Sequence, residues 1–309
     1  MPEEKKLDVV IVTFNSEMDI ERCILSILTY EKSILKNIIV VDNNSADTTE
    51  EVVHHLMQKY QNISFIKNSR NLGFSIANNQ GLRNCQSEFI LFLNPDTELK
   101  EGSISKLIQS LDSSPQNGII GPQLIFEDGT PQRGFGKRPG VFNIMTDFTF
   151  GGRIKAIFLK NVSKLNKIKR VDWISGACLL GRCELFKKIN GFDEHTFMYS
   201  EDVDLCLRAK ELGFNVIYDP TVQVVHFGGH SRETNVGKSL LSNLESRMYY
   251  AEKYFNAFER RFLNVFFIFY LISRLLIFSV LALFYKKFKS RPGLYFRILI
   301  LYWKKQKAE

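Results

Sequence analysis

Carboxylate and amide side chains stand directly after apolar, strand-length segments in the first third of the sequence. The segment FILFLNPDTE, residues 89–98, is apolar in its first half and then continues as Asn94, Pro95 and Asp96. Pro95 has no backbone N–H to give to a sheet, so it ends the predicted strand and leaves Asp96 just beyond the carboxyl end. Ligands of open α/β sheets bind at that edge, although an ordinary Pro-Asp turn has the same sequence.

Two earlier apolar segments end in the same way. Thr13 and Asn15 come at the end of the first, and Asp42 and Asn44 directly follow the second. Because parallel strands point in one direction, these groups and Asp96 are predicted to share one rim of the sheet, as a nucleotide crevice requires. The sequence has no GxGxxG or GxxxxGK[ST] motif, so we expect a divalent cation on Asp96 to hold the phosphates.

The elements that must position these side chains are strands and helices in alternation. Strands are predicted at residues 7–14, 37–41, 63–66 and 89–93, and helices at 17–29, 48–60 and 74–84. Alternation at this short spacing is typical of a parallel sheet covered by helices, so the predicted fold class is α/β. The chain of 309 residues is long enough for one catalytic domain with an appendage.

The cysteines and the distribution of charge narrow the class of protein. Five cysteines without CxxC spacing indicate a reducing compartment, and the N-terminus has no signal-peptide pattern. The tail from Arg260 to Glu309 contains eleven Lys and Arg residues and one acidic residue, so it carries a charge of +10. Because the net charge of the whole chain is +8, residues 1–259 carry about −2. The charge therefore argues against a main domain that binds nucleic acid and for a tail that meets an anionic membrane surface.

Seven motifs give the sequence a specific resemblance. They are, in chain order, VVIVTFNS, IIVVDNNSADTT, NLGFSIANNQG, FLNPDTEL, WISGACLLGR, GFDEHTFMYSEDVDLCLRAKELGF and VVHFGGHS. Together they resemble the family 2 glycosyltransferases, which transfer sugars from nucleotide sugars with inversion, and most of all the bacterial rhamnosyltransferase-like members. The resemblance implies a GT-A catalytic domain over residues 1–235, with a nucleotide-binding half up to about residue 100 and an acceptor half from about 101. A helical, membrane-associating region at 236–309 would follow.

The same resemblance implies roles for the residues at the predicted rim. Those implied to hold the nucleotide sugar are Thr13, Asn15, Asp42, Asn44, Arg70, Gly73 and Asn94. Asp42 would accept a hydrogen bond from the base, or else it is a turn residue that caps a helix. Arg70 would meet the diphosphate or the base unless it is a plain surface cation, and Gly73 allows close approach of the backbone or a turn.

The metal ligands implied by the resemblance are Asp96 and His226, and the expected cofactor is Mn²⁺ or Mg²⁺. Many relatives carry Asp-x-Asp where this chain has Asn94 and Asp96. Asn94 offers a neutral carbonyl oxygen in place of a carboxylate, so metal binding without the nucleotide is expected to be weak. His230 is a further candidate for contact with phosphate.

Catalysis is assigned by the resemblance to Asp202, within the acidic run Ser-Glu-Asp-Val-Asp. An inverting transfer needs one carboxylate that takes the proton of the acceptor hydroxyl. Glu201, Asp204, Trp173 and Gly176 are implied to orient the acceptor. Acidic residues in the first turn of a helix also have a purely electrostatic explanation, and a tryptophan is often a core residue.

The apolar segment at residues 262–285 is long enough as a helix to cross a bilayer. Arg274 near its middle and the basic residues after it argue against a simple span. We expect partial insertion from the cytoplasmic face of the plasma membrane, as a hairpin or re-entrant helix on anionic lipid. The alternatives are a helix packed on the catalytic domain and a homodimer contact.

The sequence therefore predicts a membrane-associated, metal-dependent inverting glycosyltransferase of bacterial surface polysaccharide synthesis. It would use a nucleotide-sugar donor, with dTDP-rhamnose suggested by likeness, and a lipid-linked glycan acceptor. A catalytically silent module that binds sugar nucleotides is the alternative, supported by Asn94 alone. Nucleotidyl transfer is disfavoured because the glycine- and arginine-rich N-terminal loop that it needs is absent from the sequence.

Overall fold

The structure, a computed structural model, describes residues 6–149, 167–228 and 236–306. The described residues form two compact units. The first contains residues 6–139, 167–197 and 201–228, and the second contains 140–149, 198–200 and 236–306. Two short segments of the chain thus group with the C-terminal helices, and the domain boundary at residue 235 stays a prediction.

The first unit is built on a sheet of nine strands, accompanied by a two-stranded ribbon. The strands are β1 (Leu7–Thr13), β2 (Leu35–Asp42), β3 (Ile63–Lys67), β4 (Phe89–Leu93), β5 (Thr97–Glu98), β6 (Asn117–Ile125), β7 (Phe135–Gly136), β8 (Lys169–Val171), β9 (Trp173–Ile174), β10 (Cys178–Arg182) and β11 (Asn215–His226). The sheet order is β3-β2-β1-β4-β10-β6-β11-β5, with β8 on β11, and β7 pairs with β9 in the ribbon.

Helices cover this sheet, and their apolar positions face it. The helices of the first unit are α1 (Ile20–Tyr30), α2 (Thr49–Lys59), α3 (Phe74–Arg83), α4 (Ser103–Asp112), α6 (Cys183–Lys188) and α7 (Glu201–Glu211). Every residue of β1 and β4 is buried, which explains why β4 is continuously apolar and why β1 is apolar at every position except Asp8 and Thr13. Helix α1 buries Ile20, Ile24 and Ile27 along one face, at the helical period.

The predicted α/β fold with helices over a sheet is confirmed, and one half of the sheet is parallel as expected. Strands β1, β2, β3 and β4 pair in parallel. The other half is mixed, because β10 runs antiparallel to both β4 and β6. Strand β11 is again parallel to β6, so it points in the same direction as β1 and β4. Only the strand-helix alternation of the first hundred residues predicted parallel pairing, and that alternation does not continue to β10.

The second unit is helical. Its helices are α5 (Val141–Phe148), α8 (Val236–Tyr254), α9 (Ala257–Phe284) and α10 (Arg291–Gln306), with a 3₁₀ turn at Lys286–Phe288. Asn256 caps α9 in a capping box with Glu259, which fixes the start of this long helix. Helices α9 and α10 form an antiparallel hairpin, since Tyr302 donates to Asn264 at 2.9 Å while Phe278 and Tyr295 stack near the turn.

Candidate active site

The carboxyl ends of β1, β2, β4 and β11 lie at one edge of the sheet, because these strands share a direction. Strand β10 runs the opposite way, and its first residue, Cys178, pairs with Leu93 at the end of β4. The loop that enters β10 is therefore at the same edge. Residues that are up to about two hundred positions apart in the sequence meet there.

Thr13 and Asp42 lie at the innermost part of the predicted nucleotide site. Both residues are fully buried, and Thr13 Oγ1 donates to Asp42 Oδ1 at 2.9 Å. The backbone N–H of Ser45 donates to Asp42 Oδ2 at 2.9 Å, and the Ser45 hydroxyl binds Oδ1. A carboxylate accepts about four hydrogen bonds, so three of its positions are used within the protein and one remains.

Asn15 and Asn44 form the exposed border of the same site. Their φ angles are 51° and 65°, in the left-handed region that asparagine tolerates better than most residues. Asn15 N–H donates to Ser45 Oγ at 2.8 Å, and its side-chain oxygen accepts from Ala46 N–H at 2.8 Å. These bonds cross-link the loop after β1 to the loop after β2, so the two loops form one rigid surface.

Arg70 and Gly73 occupy the loop that leads into α3. The Arg70 side chain is exposed, and no other described residue hydrogen bonds or pairs with its guanidinium. Gly73 has φ +92°, and a Cβ there would lie 2.7 Å from Phe197 Cδ2 and 2.8 Å from Phe197 O. Phe74 N–H also donates to that carbonyl. The close approach that requires glycine is thus to the segment before Glu201.

Asp96 and His226, the two predicted metal ligands, face each other. Asp96 Oδ1 lies 3.4 Å from His226 Nε2, with side chains that are 17% and 16% exposed. The short strand β5 causes this meeting, because Thr97 pairs with His226 and Phe227 N–H donates to Asp96 O at 2.9 Å. Burial opposes ionisation of Asp96, but the His226 ring and nearby backbone N–H groups lower its pKa below the usual value.

This pair fits a divalent cation. A carboxylate oxygen and an imidazole nitrogen are ligands that Mn²⁺ accepts, and a carboxylate also suits Mg²⁺. The described part of the chain contains no group of three or more His, Cys, Asp or Glu side chains arranged for a metal. Two protein ligands leave most of the coordination sphere for phosphate oxygens and water, as in sites that bind a metal together with its nucleotide.

Asp202 is connected to the same edge by a short chain of hydrogen bonds. Gly176 N–H donates to Asp202 Oδ2 at 3.1 Å, and Val203 N–H donates to Oδ1 at 2.8 Å. The carbonyl of Ala177, next to Gly176, accepts from Asn94 N–H at 3.0 Å. The partly exposed Asp202 carboxylate is therefore held at the loop that enters β10, beside the loop that carries Asp96.

The other two carboxylates of the acidic run are more deeply placed. Glu201 is 7% exposed and Asp204 is 3% exposed. Asp204 pairs with Arg208 at 2.7 Å, and Arg208 also donates to the carbonyls of Ile189 and Gly191. Asp204, in the first turn of α7, thus holds an arginine of the last turn that binds the neighbouring loop.

A family model described as "Glycosyl transferase family 2" matches residues 8–200 of this chain. The chain belongs to glycosyl transferase family 2. The match begins in β1 and ends just before Asp202, so it spans the nucleotide-side residues and the loop into β10. The family predicted from the seven motifs is confirmed.

Curated relatives within the family cover most of the chain. One is the N-acetylglucosaminyl-diphospho-decaprenol L-rhamnosyltransferase of Mycobacterium tuberculosis, 28% identical in an alignment of 258 positions that covers 78% of this chain and 82% of the relative. Another is the rhamnosyltransferase WbbL of Escherichia coli, 27% identical in an alignment of 245 positions that covers 72% of this chain and 87% of the relative.

A solved structure supports the fold assignment. The mannosyltransferase PcManGT from Pyrobaculum calidifontis, in complex with GDP-Man and Mn²⁺, is 17% identical and has a TM-score of 0.55. The alignment covers 98% of this chain and 87% of the other. At that identity the likeness concerns the fold alone, and the predicted GT-A fold is confirmed.

In this glycosyltransferase, Trp173 is held at the ribbon of β7 and β9. Its indole N–H donates to Lys137 O at 3.0 Å, and the Arg133 guanidinium lies 5.4 Å from the ring centre. A Cβ on Gly136 would lie 2.7 Å from Trp173 Nε1, so the ring packs directly on a glycine backbone. The ring is half-buried and oriented by these contacts, and its role at the acceptor stays a prediction.

Three residues of the site have no recognisable signal in the sequence. Ser45 supplies two of the three hydrogen bonds to Asp42, Arg208 pairs with Asp204, and Gln132 binds both the ring and the carbonyl of His226. Gln132 follows the Asp-Gly turn at residues 128–129, and only the fold brings that turn beside the end of β11. His230 lies outside the described residues.

Proposed function

We propose that this chain transfers a sugar from a nucleotide-diphosphate donor to a lipid-linked glycan acceptor in the synthesis of a bacterial surface polysaccharide. The observation that carries the proposal is the hydrogen-bonded connection of Asp202 to the edge where Asp96 and His226 meet. The names of the relatives support the class of substrates, since one of them acts on a sugar linked to a polyprenol diphosphate. Two relatives are rhamnosyltransferases, so dTDP-rhamnose is the first donor to test.

The proposed reaction is a single displacement. The acceptor hydroxyl oxygen forms a bond to the anomeric carbon while the bond from that carbon to the diphosphate oxygen breaks on the opposite face. Asp202 takes the proton of the hydroxyl, and the configuration inverts. Gly176 and Val203 each donate a backbone hydrogen bond to Asp202, and these bonds fix the carboxylate for this role.

The donor would bind against the joined loops after β1 and β2. Asn15 and Asn44 are exposed there and would contact the nucleoside, while the buried pair of Thr13 and Asp42 would hold the loops that receive the base. Arg70 is exposed and its guanidinium is available to the diphosphate. Asp96 and His226 would hold Mn²⁺ or Mg²⁺, which when bound neutralises charge on the diphosphate, and Asn94 would support the same loop.

Membrane association is part of the proposal. Helix α9 is the one described helix that is long and apolar enough to cross a membrane, and only 11% of its most apolar window is buried. Eight of its exposed apolar residues recur every three or four positions and share one face: Phe258, Phe262, Val265, Phe269, Ile272, Leu276, Val280 and Leu283. We call this surface the α9 stripe. Leu263, Phe267 and Leu271 are buried on the opposite face.

The α9 stripe favours binding along a membrane surface over a complete crossing. By helical spacing, Arg274 lies with Phe267 and Leu271, on the face opposite the stripe, and its guanidinium is 5.2 Å from the Tyr270 ring. The positive charge of Arg274, which argued against a simple span, therefore does not lie on the α9 stripe. Exposed basic side chains lie beyond the end of α9 at Lys286, Lys287 and Lys289, where anionic headgroups would meet them. The expected location is the cytoplasmic face of the plasma membrane.

A donor panel with purified full-length protein tests the enzymatic part. Each nucleotide sugar is incubated with a lipid-linked acceptor and Mn²⁺, and both nucleoside diphosphate release and product formation are scored. We expect one donor to give inverted product, EDTA to abolish the reaction, and added Mn²⁺ to restore it. Donor binding without release across the panel would identify the protein as a silent binding module, and full activity in EDTA would contradict the metal assignment.

A further inference from the structure

The side-chain amide of Gln132 makes two hydrogen bonds with His226. Its Nε2 donates to the backbone carbonyl of His226, and its Oε1 lies 2.8 Å from His226 Nδ1. A primary amide has one acceptor atom and one donor atom, and both are used on the same residue. No other described side chain binds the Nδ1 edge of this ring.

The first of these contacts fixes the direction of the second. The carbonyl of His226 can only accept, so it requires the NH₂ group of the amide, and this turns Oε1 towards Nδ1. Because Oε1 also can only accept, Nδ1 must carry a hydrogen. In the neutral ring the lone pair then resides on Nε2, the nitrogen that lies 3.4 Å from Asp96 Oδ1.

Gln132 is itself rigidly placed. Its backbone N–H donates to Leu124 O at 2.8 Å, and its carbonyl accepts from Gln123 Nε2 at 2.9 Å. Gln123 is buried, and its own side-chain oxygen accepts from the Tyr218 hydroxyl. The turn that follows β6 is thereby fastened to the sheet, and the amide of Gln132 is presented to the end of β11.

We infer that Gln132 is a positioning residue that sets the tautomer and orientation of His226, so that Nε2 and Asp96 together present two unprotonated donor atoms to a cation. Only the identity of the cation rests on the proposed function. Without Gln132, the ring can carry its proton on Nε2 and donate it to Asp96, which would occupy both ligand atoms. When the ring nitrogen that does not bind the metal loses its hydrogen-bond partner, the metal affinity of a histidine site typically falls by about 10–100-fold.

The test uses two variants of similar side-chain length. Gln132→Met removes the acceptor for Nδ1–H, whereas Gln132→Glu keeps an acceptor there but loses the donor to the His226 carbonyl. Gln116→Met, at an exposed glutamine, is the control. The ring nitrogens of ¹⁵N-histidine-labelled full-length protein are observed by NMR at alkaline pH, where imidazoles are neutral, and His226 is identified by the signal that His226→Ala lacks.

We expect His226 to carry its hydrogen on Nδ1 in the wild type, the Gln116→Met control and Gln132→Glu, and on Nε2 in Gln132→Met. Calorimetric titration with Mn²⁺ in the presence of a nucleoside diphosphate should show affinity about 10–100-fold lower for Gln132→Met. A His226 hydrogen on Nε2 in the wild type, or a tautomer unchanged in Gln132→Met, would overturn the inference. The spectrum needs neither metal nor turnover, so its outcome is independent of whether the donor panel succeeds.

Discussion

At the scale of the residue, three neighbouring carboxylates in α7 have different surroundings. Asp202 is partly exposed and bound by two backbone N–H groups, whereas Asp204 is buried against Arg208. A proton acceptor must reach its substrate, and a carboxylate that is committed to an arginine cannot easily do so. The structure therefore favours Asp202 as the base and gives Asp204 a task in holding the helix.

Substitution of these carboxylates separates the two tasks. Asp202→Asn keeps the shape of the side chain but cannot take a proton, so we expect transfer to fall roughly 10²–10⁴-fold with near-normal donor affinity. Glu201→Gln should lower the rate of transfer less than Asp202→Asn does. Asp204→Ala removes the carboxylate partner of Arg208, whose side chain is only 20% exposed, and we expect it to lower the free energy of unfolding by about 2 kcal/mol. Steady-state rates, donor calorimetry and denaturant unfolding of the three variants provide the measurements.

Two results would change this assignment. If Asp202→Asn keeps its rate while Glu201→Gln loses it, the base is Glu201. If Asp204→Ala unfolds like the wild type but binds acceptor poorly, Asp204 faces the acceptor and its pair with Arg208 contributes little to stability.

At the scale of the element, a residue far away in the sequence completes the start of helix α4. Glu31, which follows α1, is fully buried. It accepts from Ile104 N–H at 2.7 Å, from Ser105 N–H at 3.2 Å and from the Ser105 hydroxyl at 2.7 Å. The first N–H groups of a helix have no partner inside it, so this carboxylate satisfies two of them.

Loss of this cap should be measurable. Glu31→Ala leaves two buried N–H groups without partners, and we expect a loss of about 3 kcal/mol in the free energy of unfolding. Glu21→Ala, at an exposed glutamate of α1, should stay within about 0.5 kcal/mol of the wild type. Equal unfolding curves for the two variants would show that solvent can replace the cap.

Local patterns predicted the elements of the nucleotide side well but not the contacts between distant ones. Apolar periodicity and Pro95 placed Asp96 at the end of β4, and the observed strand ends at Leu93 as predicted. No local pattern indicates that β5 pairs with β11, although this pairing places Asp96 beside His226. Nor does a local pattern indicate that β10 is antiparallel, which places Gly176 beside Asp202. These pairings depend on side-chain packing between segments that are distant in the sequence, 85 positions for Cys178 and Leu93 and 129 positions for Thr97 and His226, and sequence periodicity does not record such packing.

At the scale of the whole molecule, one described face combines apolar and basic character. The α9 stripe is exposed along the helix, and the two serines of α9 are satisfied locally, since Ser273 donates to Tyr270 O and Ser279 donates to Leu275 O. Serines bonded to their own helix expose few unsatisfied groups to lipid. Such a surface is suited to the boundary between headgroups and acyl chains.

Co-flotation with vesicles distinguishes the contributions to membrane binding. Phe269→Ser with Leu276→Ser removes apolar area from the α9 stripe and should reduce partition by at least about tenfold on every lipid. Replacement of Lys286, Lys287 and Lys289 by Gln should reduce partition on anionic vesicles by roughly 100-fold, at about 1 kcal/mol per charge, and leave neutral vesicles unaffected. Leu212→Ser, at an exposed leucine after α7, is the control and should bind as the wild type does. If the wild type ignores anionic vesicles and the stripe variant instead changes from dimer to monomer in sedimentation, the α9 stripe is a contact between two copies of the chain.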